Sequence, residues 1–102
     1  MTFGLKKQTI SKLQDVFKQF PEIEEVVIYG SRAKGNFKNG SDIDLTLIGN
    51  NIDQHLCDDI AEALDELLLP QMIDLSVFEL LNHTELMEHI KRVGQVFYQK
   101  TD

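Results

Sequence analysis

The sequence is poor in cysteine, proline and long hydrophobic runs. It contains one cysteine and two prolines among 102 residues. A single cysteine, Cys57, cannot form a disulfide within the chain, which is typical of a protein from a reducing compartment. No apolar run approaches the ~18 residues of a membrane span, and the N-terminus lacks the apolar stretch of a signal peptide. We therefore expect a cytoplasmic protein without a membrane association.

Positive charge is also scarce. The chain has 10 Lys and Arg against 17 Asp and Glu, for a formal net charge of −7. A protein that binds along a nucleic-acid backbone normally needs a basic surface, so extended nucleic-acid binding is not expected.

The length and the 42% hydrophobic content predict one domain over residues 1–102. A domain of this size buries roughly 60–70% of its unfolded surface, so homo- or hetero-oligomers are plausible.

Residues 26–48 carry the most informative pattern. Residues 26–29 are β-branched or aromatic and predict a short buried strand that stops at Gly30, and a new segment begins at Ser31. A strand that turns into a helix through Gly-Ser leaves backbone N–H groups free at the helix start, where the helix dipole favours an anion. This turn therefore predicts a phosphate-binding site.

The second half of this stretch alternates between apolar and polar residues. Asp42, Asp44 and Thr46 share one face of the strand predicted over residues 42–48, and the apolar residues between them share the other face. The two neighbouring carboxylates repel each other unless a cation neutralises them, and hard oxygen ligands suit Mg²⁺. The pattern predicts a site for a metal and a nucleotide.

These residues resemble a known signature. Gly30 and Ser31, followed after ten residues by Asp42 and Asp44, resemble the motif of the DNA polymerase beta-like nucleotidyltransferase superfamily. The segments GSRAKG and SDIDL are similar to those of its small stand-alone members, the minimal nucleotidyltransferases, and the match covers residues 26–77 well. The resemblance implies an α/β fold with a small mixed β-sheet of three to four strands and helices packed mainly on one side.

The resemblance also implies roles for individual residues. Gly30 and Ser31 are expected to hold the triphosphate of ATP, and Asp42 and Asp44 to bind two Mg²⁺ ions. The third catalytic and metal-binding carboxylate should come from a later strand, and Asp74 is the candidate, because the residues around it alternate as those around the first pair do. Asp74 is also our candidate for assisting deprotonation of the attacking hydroxyl.

Two basic residues follow the phosphate turn. Arg32 and Lys34 could reach the outer phosphates of the nucleotide, although a plain helix-surface role for Lys34 is nearly as good an interpretation. The resemblance leads us to expect an arginine in this turn more often than the lysine present at Lys34, and lysine lacks the bidentate contact with phosphate that arginine makes.

The acceptor of the reaction is not encoded in the motif. Small relatives are typically encoded beside an all-helical partner of the HEPN class, often a ribonuclease toxin, and act as its antitoxin. By resemblance we expect transfer of AMP to a hydroxyl, that of a tyrosine, on such a partner. Two alternatives stay open: a nucleotide-binding antitoxin module without catalysis, and an adenylyltransferase for a small molecule such as an antibiotic, completed by a second chain.

The remaining segments predict a supporting scaffold. Residues 6–20 and 51–68 have the apolar spacing of amphipathic helices. Asn82 is expected to start the last helix, with Glu85 as its capping partner. Residues 95–98 are expected to form a short extended tail, packed on the body or offered to a neighbouring chain.

Three further side chains have simple interpretations. Phe37, in the polar loop 36–41, is expected at an exposed loop tip, where it could stack on a base or contact a partner; a half-buried anchor is an equal alternative. Cys57 is interpreted as a small semi-buried helix residue. The histidines show no ligand spacing, so a zinc site is not expected.

Overall fold

The chain folds into a four-stranded sheet with four helices in a computed structural model that describes residues 2–101. Met1 and Asp102, the ends of the predicted domain 1–102, lie outside the described residues. In chain order the elements are α1 (Lys7–Lys18), β1 (Glu25–Tyr29), α2 (Ser31–Lys34), β2 (Ile43–Ile48), α3 (Gln54–Asp65), β3 (Ile73–Val77), a 3-10 turn (Phe78–Leu80), α4 (Thr84–Val93) and β4 (Gln95–Gln99).

The sheet is mixed, with strand order β3-β2-β1-β4. The central strand β1 pairs antiparallel with both β2 and β4, whereas β2 and β3 are parallel, because α3 carries the chain back between them. The predicted α/β fold with a small mixed sheet is confirmed. The predicted extended tail is the fourth strand of this sheet, since it forms a hydrogen-bonded ladder with β1.

One face of the sheet carries the main hydrophobic core. The inward residues of β1 and β2 pack there against α1 and α3, and the fully buried side chains include Phe17, Ile28, Leu45 and Ile60. Period-two alternation directs the intervening residues of the strands to the opposite face. This second face therefore carries the polar side chains singled out above.

A smaller apolar cluster covers part of the second face. Val27 and Tyr29 of β1 pack there against Ile90 of α4 and against residues around the 3-10 turn. The two longest helices thus lie on one side, and α4 shields only one end of the other side. The polar end of that second face is left accessible.

Two helices begin at side-chain caps. Asp53 Oδ1 accepts a hydrogen bond from the backbone N–H of Leu56 at 2.8 Å, so α3 begins at Gln54 rather than at residue 51. At α4 the cap is His83, whose Nδ1 accepts from the N–H of Leu86 at 3.0 Å. The predicted Asn82 cap is therefore wrong by one residue, because the imidazole supplies the acceptor. Every helix among residues 2–101 is too short or too polar to span a bilayer.

Candidate active site

The turn after β1 has the backbone form that the motif predicted. Gly30 has φ 75° and ψ −155°, a conformation open to glycine alone among ordinary residues, and it is the N-cap of α2. The first helical hydrogen bond of α2 is donated by Lys34 to the carbonyl of Gly30 at 3.1 Å. The N–H groups of Ser31, Arg32 and Ala33 precede that bond, so they have no partner inside the helix.

The two predicted carboxylate strands place their aspartates side by side. Asp44 of β2 is in register with Asp74 of β3 on one side and with Tyr29 of β1 on the other. Asp42 lies two residues before Asp44, and alternation gives it the same face. The structure thus brings Asp42, Asp44 and Asp74 to one end of one sheet face.

The turn and the carboxylates are in direct contact. A β-carbon placed on Gly30 would overlap the Asp44 carboxylate, with Oδ2 as the nearest atom. The backbone of the turn therefore approaches Asp44 as closely as a residue without a side chain allows. Glycine is required here by its φ angle and by this approach together.

The surroundings of Asp44 disfavour the negative charge of its carboxylate. Burial raises the pKa of its carboxyl above the usual 3.8, and the neighbouring Asp74 and Asp42 raise it further. His89 of α4 and Arg32 act in the opposite direction on the same pKa. The ionised form of Asp44 is therefore disfavoured in the free protein, and a bound cation would relieve that cost.

The carboxylates do not form a closed metal cage. Within residues 2–101, no group of three or more His, Cys, Asp or Glu side chains is arranged to hold a metal ion on its own. Mg²⁺ commonly takes one or two protein carboxylates and completes its shell with substrate phosphates and water. The open group of Asp42, Asp44 and Asp74 beside the Gly30 turn, with the repulsion concentrated on Asp44, fits such an ion.

Arg32 does not occupy the place that the sequence predicted. Its side chain is only 2% exposed, and the guanidinium donates to the carbonyl of Phe3 at 2.9 Å and to that of Ser41 at 2.9 and 3.1 Å. The ring of Phe37 lies 5.2 Å from its Cζ. Arg32 thus ties the N-terminal turn to the loop before Asp42, and its donors are used by the protein rather than turned towards a nucleotide.

The loop between α2 and β2 is anchored by the same arginine. Phe37 is half-buried against Arg32, so the prediction of an exposed loop tip is wrong and the alternative of an anchor is correct. Lys34 is exposed at the end of α2, where it is free to reach a phosphate or solvent. Cys57 is buried in α3, as its interpretation as a helix residue predicted, and burial raises the pKa of its thiol.

The hydroxyl groups of Tyr29, Thr46 and Ser76 form a row next to the carboxylates on the same face of the sheet. Ser76 Oγ of β3 donates a hydrogen bond to Thr46 Oγ1 of β2 at 2.9 Å. Thr46 and Ser76 lie two residues after Asp44 and Asp74 in their strands. Burial raises the pKa of the Tyr29 phenol, a hydrogen bond with Ser76 lowers it, and Asp74 and Asp44 raise it. Sequence reasoning missed this row, although Thr46 and Ser76 share the alternation of the aspartates.

The tyrosine is also packed from the side of α4. The rings of Tyr29 and His89 meet edge to face, with centroids 6.3 Å apart. His89 thereby lies near the site, although it is far from the motif in sequence. No spacing along the chain could have identified it, because its position depends on how α4 crosses the sheet.

The family model for Polymerase beta, Nucleotidyltransferase matches residues 11–102. The chain therefore belongs to this nucleotidyltransferase family, and its fold and the Gly-Ser turn beside paired aspartates agree with that assignment. No curated protein matches the sequence.

Solved structures with this fold include antitoxins. A toxin–antitoxin with AMP-PNP has a TM-score of 0.71 and 21% identity, over 95% of this chain and 76% of that one. The complex of a tri-AMPylated Shewanella oneidensis HEPN toxin with its MNT antitoxin has a TM-score of 0.69 and 16% identity, over 94% and 74% of the two chains. The MntA-HepT toxin–antitoxin has a TM-score of 0.69 and 16% identity, over 93% and 74%.

Proposed function

We propose that this chain transfers AMP from ATP to a hydroxyl group, that of a tyrosine, on a HEPN-type partner protein, and acts as the antitoxin of that partner. The observation that carries the proposal is the contact of the Gly30 turn with Asp44, which is in register with Asp74. It joins a predicted phosphate site to predicted metal ligands. Similar structures support the choice of acceptor, since one of them contains an AMPylated HEPN toxin.

In this proposal the nucleotide lies on the α2 turn. Gly30 and Ser31 hold the phosphates through backbone N–H groups, and the exposed Lys34 screens the outer phosphates as a point charge. Arg32 acts indirectly, because its hydrogen bond to the carbonyl of Ser41 fixes the loop that leads to Asp42. It takes no direct part in holding the nucleotide, in contrast to the prediction from sequence.

Asp42, Asp44 and Asp74 are the proposed ligands for two Mg²⁺ ions. When bound, Mg²⁺ neutralises charge on the attacking and leaving oxygens of a phosphoryl displacement. The carboxylates themselves hold their positions through the strand register, so little reorganisation is needed on binding. Tyr29 is in register with Asp44 on the neighbouring strand, so it flanks this carboxylate on the side of β1.

The reaction balances with the groups available. The acceptor oxygen forms a bond to the α-phosphorus of ATP, the bond from that phosphorus to the bridging oxygen breaks, and pyrophosphate leaves. The proton of the hydroxyl goes to a carboxylate, and Asp74 is the proposed acceptor because its side chain is exposed on the side that an incoming protein can reach. Residues 1–102 act as a single domain in the cytoplasm, and the partner supplies the second substrate.

The test is protein labelling in extract of the source cells. The purified chain, its Asp44→Asn variant and a Glu62→Gln control are incubated with Mg²⁺ and ATP labelled on the α-phosphate. Glu62 is exposed on α3, away from the sheet face that bears Asp44, so its variant should act as the wild type does. We expect a labelled protein with the wild type and the control, none with Asp44→Asn, and a modified tyrosine by mass spectrometry.

Other outcomes identify the alternatives. If the wild type binds ATP with Mg²⁺ but labels no protein and releases no pyrophosphate, the chain is a nucleotide-binding module. Release of pyrophosphate without a labelled protein would indicate a small-molecule acceptor. Full activity of a folded Asp44→Asn variant would contradict the assignment of the site.

A further inference from the structure

We propose that an exposed apolar edge formed by Leu68 and Met72 binds a protein partner with a basic surface and presents the acceptor hydroxyl of that partner to Asp74. This inference rests on the proposed function and specifies which face of the chain the acceptor protein contacts. Four independent features of the edge carry it: exposure, position, charge and an unsatisfied amide.

The first feature is exposed apolar surface. Leu68 is 88% and Met72 74% exposed, and both line a cavity of about 300 Å³ together with Leu64, Leu69 and Ile73. Leu68 also has φ 54°, a left-handed conformation that costs a branched residue about 1–2 kcal/mol. Glycine or asparagine would be the ordinary choice at such a helix end. Leu68 and Met72 together leave apolar surface open to a partner beside this cavity.

The second feature is continuity with the candidate active site. The N–H of Ile43 donates to the carbonyl of Met72 at 2.8 Å, so the β2–β3 ladder extends one residue before β3. Alternation places Met72 on the same face as Asp74, about 7 Å along the strand. Because β3 is the outer strand of the sheet, its edge is open. The cavity with Leu64 and Ile73 lies on the α3 side of this edge and Asp74 on the other side, so a partner bound at Met72 reaches Asp74 around the edge.

The third feature is charge. The 10 Lys and Arg all lie in residues 1–38 and 91–102, whereas residues 39–90 contain 12 of the 17 acidic residues. Asp65 and Glu66 are exposed next to Leu68, and Asp74 follows Met72. An apolar edge with these carboxylates next to it favours a partner whose contact surface carries lysine or arginine around an apolar centre. A second copy of this acidic edge is disfavoured by like-charge repulsion.

The fourth feature is an unused hydrogen-bond acceptor. Gln71 lines the same cavity, and its buried Oε1 has no hydrogen-bond partner among residues 2–101. A buried acceptor without a donor costs about 1–3 kcal/mol. A basic side chain that enters the cavity would supply the donor. The apolar and the polar features of the edge thus require the same kind of occupant.

The first arm of the test measures acceptor use. A Leu68→Asn and Met72→Gln double variant removes the apolar surface while suiting the local backbone, and Val96→Thr is the control, since Val96 is 55% exposed at the opposite edge of the sheet. With the labelled protein identified above and purified, we expect the double variant to raise KM for that protein at least tenfold. The Kd for ATP with Mg²⁺ should stay within twofold for both variants. An unchanged KM overturns the proposal.

The second arm does not depend on catalysis. The ¹⁵N-labelled chain is titrated with an amphipathic helical peptide of leucine and lysine, and with its leucine and glutamate counterpart. We expect amide shifts centred on residues 64–74 with the lysine peptide only, and their loss in the double variant. Shifts centred elsewhere, or equal binding of both peptides, overturn the proposal, as does a wild-type dimer that the double variant dissociates.

The two arms separate the two proposals. If the wild type labels no protein but the lysine peptide binds at the edge, the proposed activity fails and the basic partner surface stands. If labelling is normal with the double variant, the activity stands and the edge is not where the acceptor binds.

Discussion

Gly30 and Asp44 are in contact across the end of the sheet, so closely that a β-carbon on Gly30 would overlap Asp44 Oδ2. Gly30 lies in the turn after β1 and Asp44 in β2, and the two residues belong to the two halves of the sequence motif. Their contact explains why the motif pairs a glycine with an aspartate at a fixed spacing. The Gly30 turn and the strand that carries Asp44 therefore pack directly on each other.

The first prediction concerns this contact. Gly30→Ala should reduce nucleotidyl transfer at least ~100-fold, because the methyl group displaces Asp44 and a shift of about 1 Å in a reacting group can cost that much. Gly35→Ala is the control, since Gly35 has φ 87° but open space around a β-carbon. It should lose about 1 kcal/mol of stability through backbone strain and keep its activity. Equal activities of the two variants in a single-turnover assay would contradict this account.

The second prediction concerns stability and pH. Burial and like charges raise the pKa of Asp44, so folding favours its protonated form, and this part of the stability is lost as pH rises from 3.8 through the folded-state pKa. Asp44→Asn should therefore melt at a higher temperature than the wild type at pH 7 without divalent ions. The difference should disappear below pH 3.8.

The same melting curves contain a further check. Mg²⁺ with ATP should raise the melting temperature of the wild type and have a much smaller effect on Asp44→Asn, because the ligand stabilises only the protein that binds it. Glu62→Gln, which removes an exposed carboxylate on α3, should respond to Mg²⁺ with ATP as the wild type does. A variant that is less stable than the wild type at pH 7 would show that Asp44 is not under repulsion.

Local pattern was sufficient to predict much of this fold. The alternation around Asp44 and Asp74 reflects strands with one apolar and one polar face, and period two determines which side chains share a face before any pairing is known. The glycine of the turn was equally evident from sequence. These features depend on neighbours in the chain, so the sequence displays them directly.

The features that sequence reasoning missed depend on contacts between distant segments. Arg32 was predicted to face the nucleotide, but its guanidinium binds the carbonyl of Phe3, 29 residues away. His89 lies near Tyr29 only because α4 crosses the second sheet face. Residues 95–98 were predicted to form an extended tail because the pairing of strands, unlike the alternation of apolar and polar residues, leaves no local signal in the sequence. Tertiary contacts of this kind are not encoded in periodicity.

The third prediction concerns the row of hydroxyl groups next to the carboxylates. Thr46 is fully buried, and Thr46→Val keeps its shape but removes the acceptor for Ser76 Oγ, which should cost about 1–3 kcal/mol. Thr46→Ser retains the hydroxyl and should keep the bond while losing only the buried methyl. Urea denaturation compares the two variants. A valine variant as stable as the wild type would mean that the row contributes nothing.

The fourth prediction concerns Arg32 as the anchor of the loop before Asp42. Lysine at this position has one ammonium group in place of a planar fork, so it cannot bind the carbonyls of Phe3 and Ser41 at once. Arg32→Lys should lower the free energy of unfolding by about 2–3 kcal/mol, as expected for the loss of buried hydrogen bonds from a charged group. Lys34→Gln, on the exposed side of the same short helix, should change it by less than about 0.5 kcal/mol.

The kinetic consequence separates an anchor from a nucleotide ligand. If Arg32 positions the loop, Arg32→Lys should lower kcat and speed amide hydrogen exchange at residues 36–41, with little change in KM for ATP. Lys34→Gln should instead raise KM for ATP while leaving exchange in the loop unchanged. A rise in KM for ATP in Arg32→Lys with unaltered hydrogen exchange in the loop would show instead that Arg32 contacts the phosphates of the nucleotide. Only direct contact with the nucleotide changes its binding without loosening the loop.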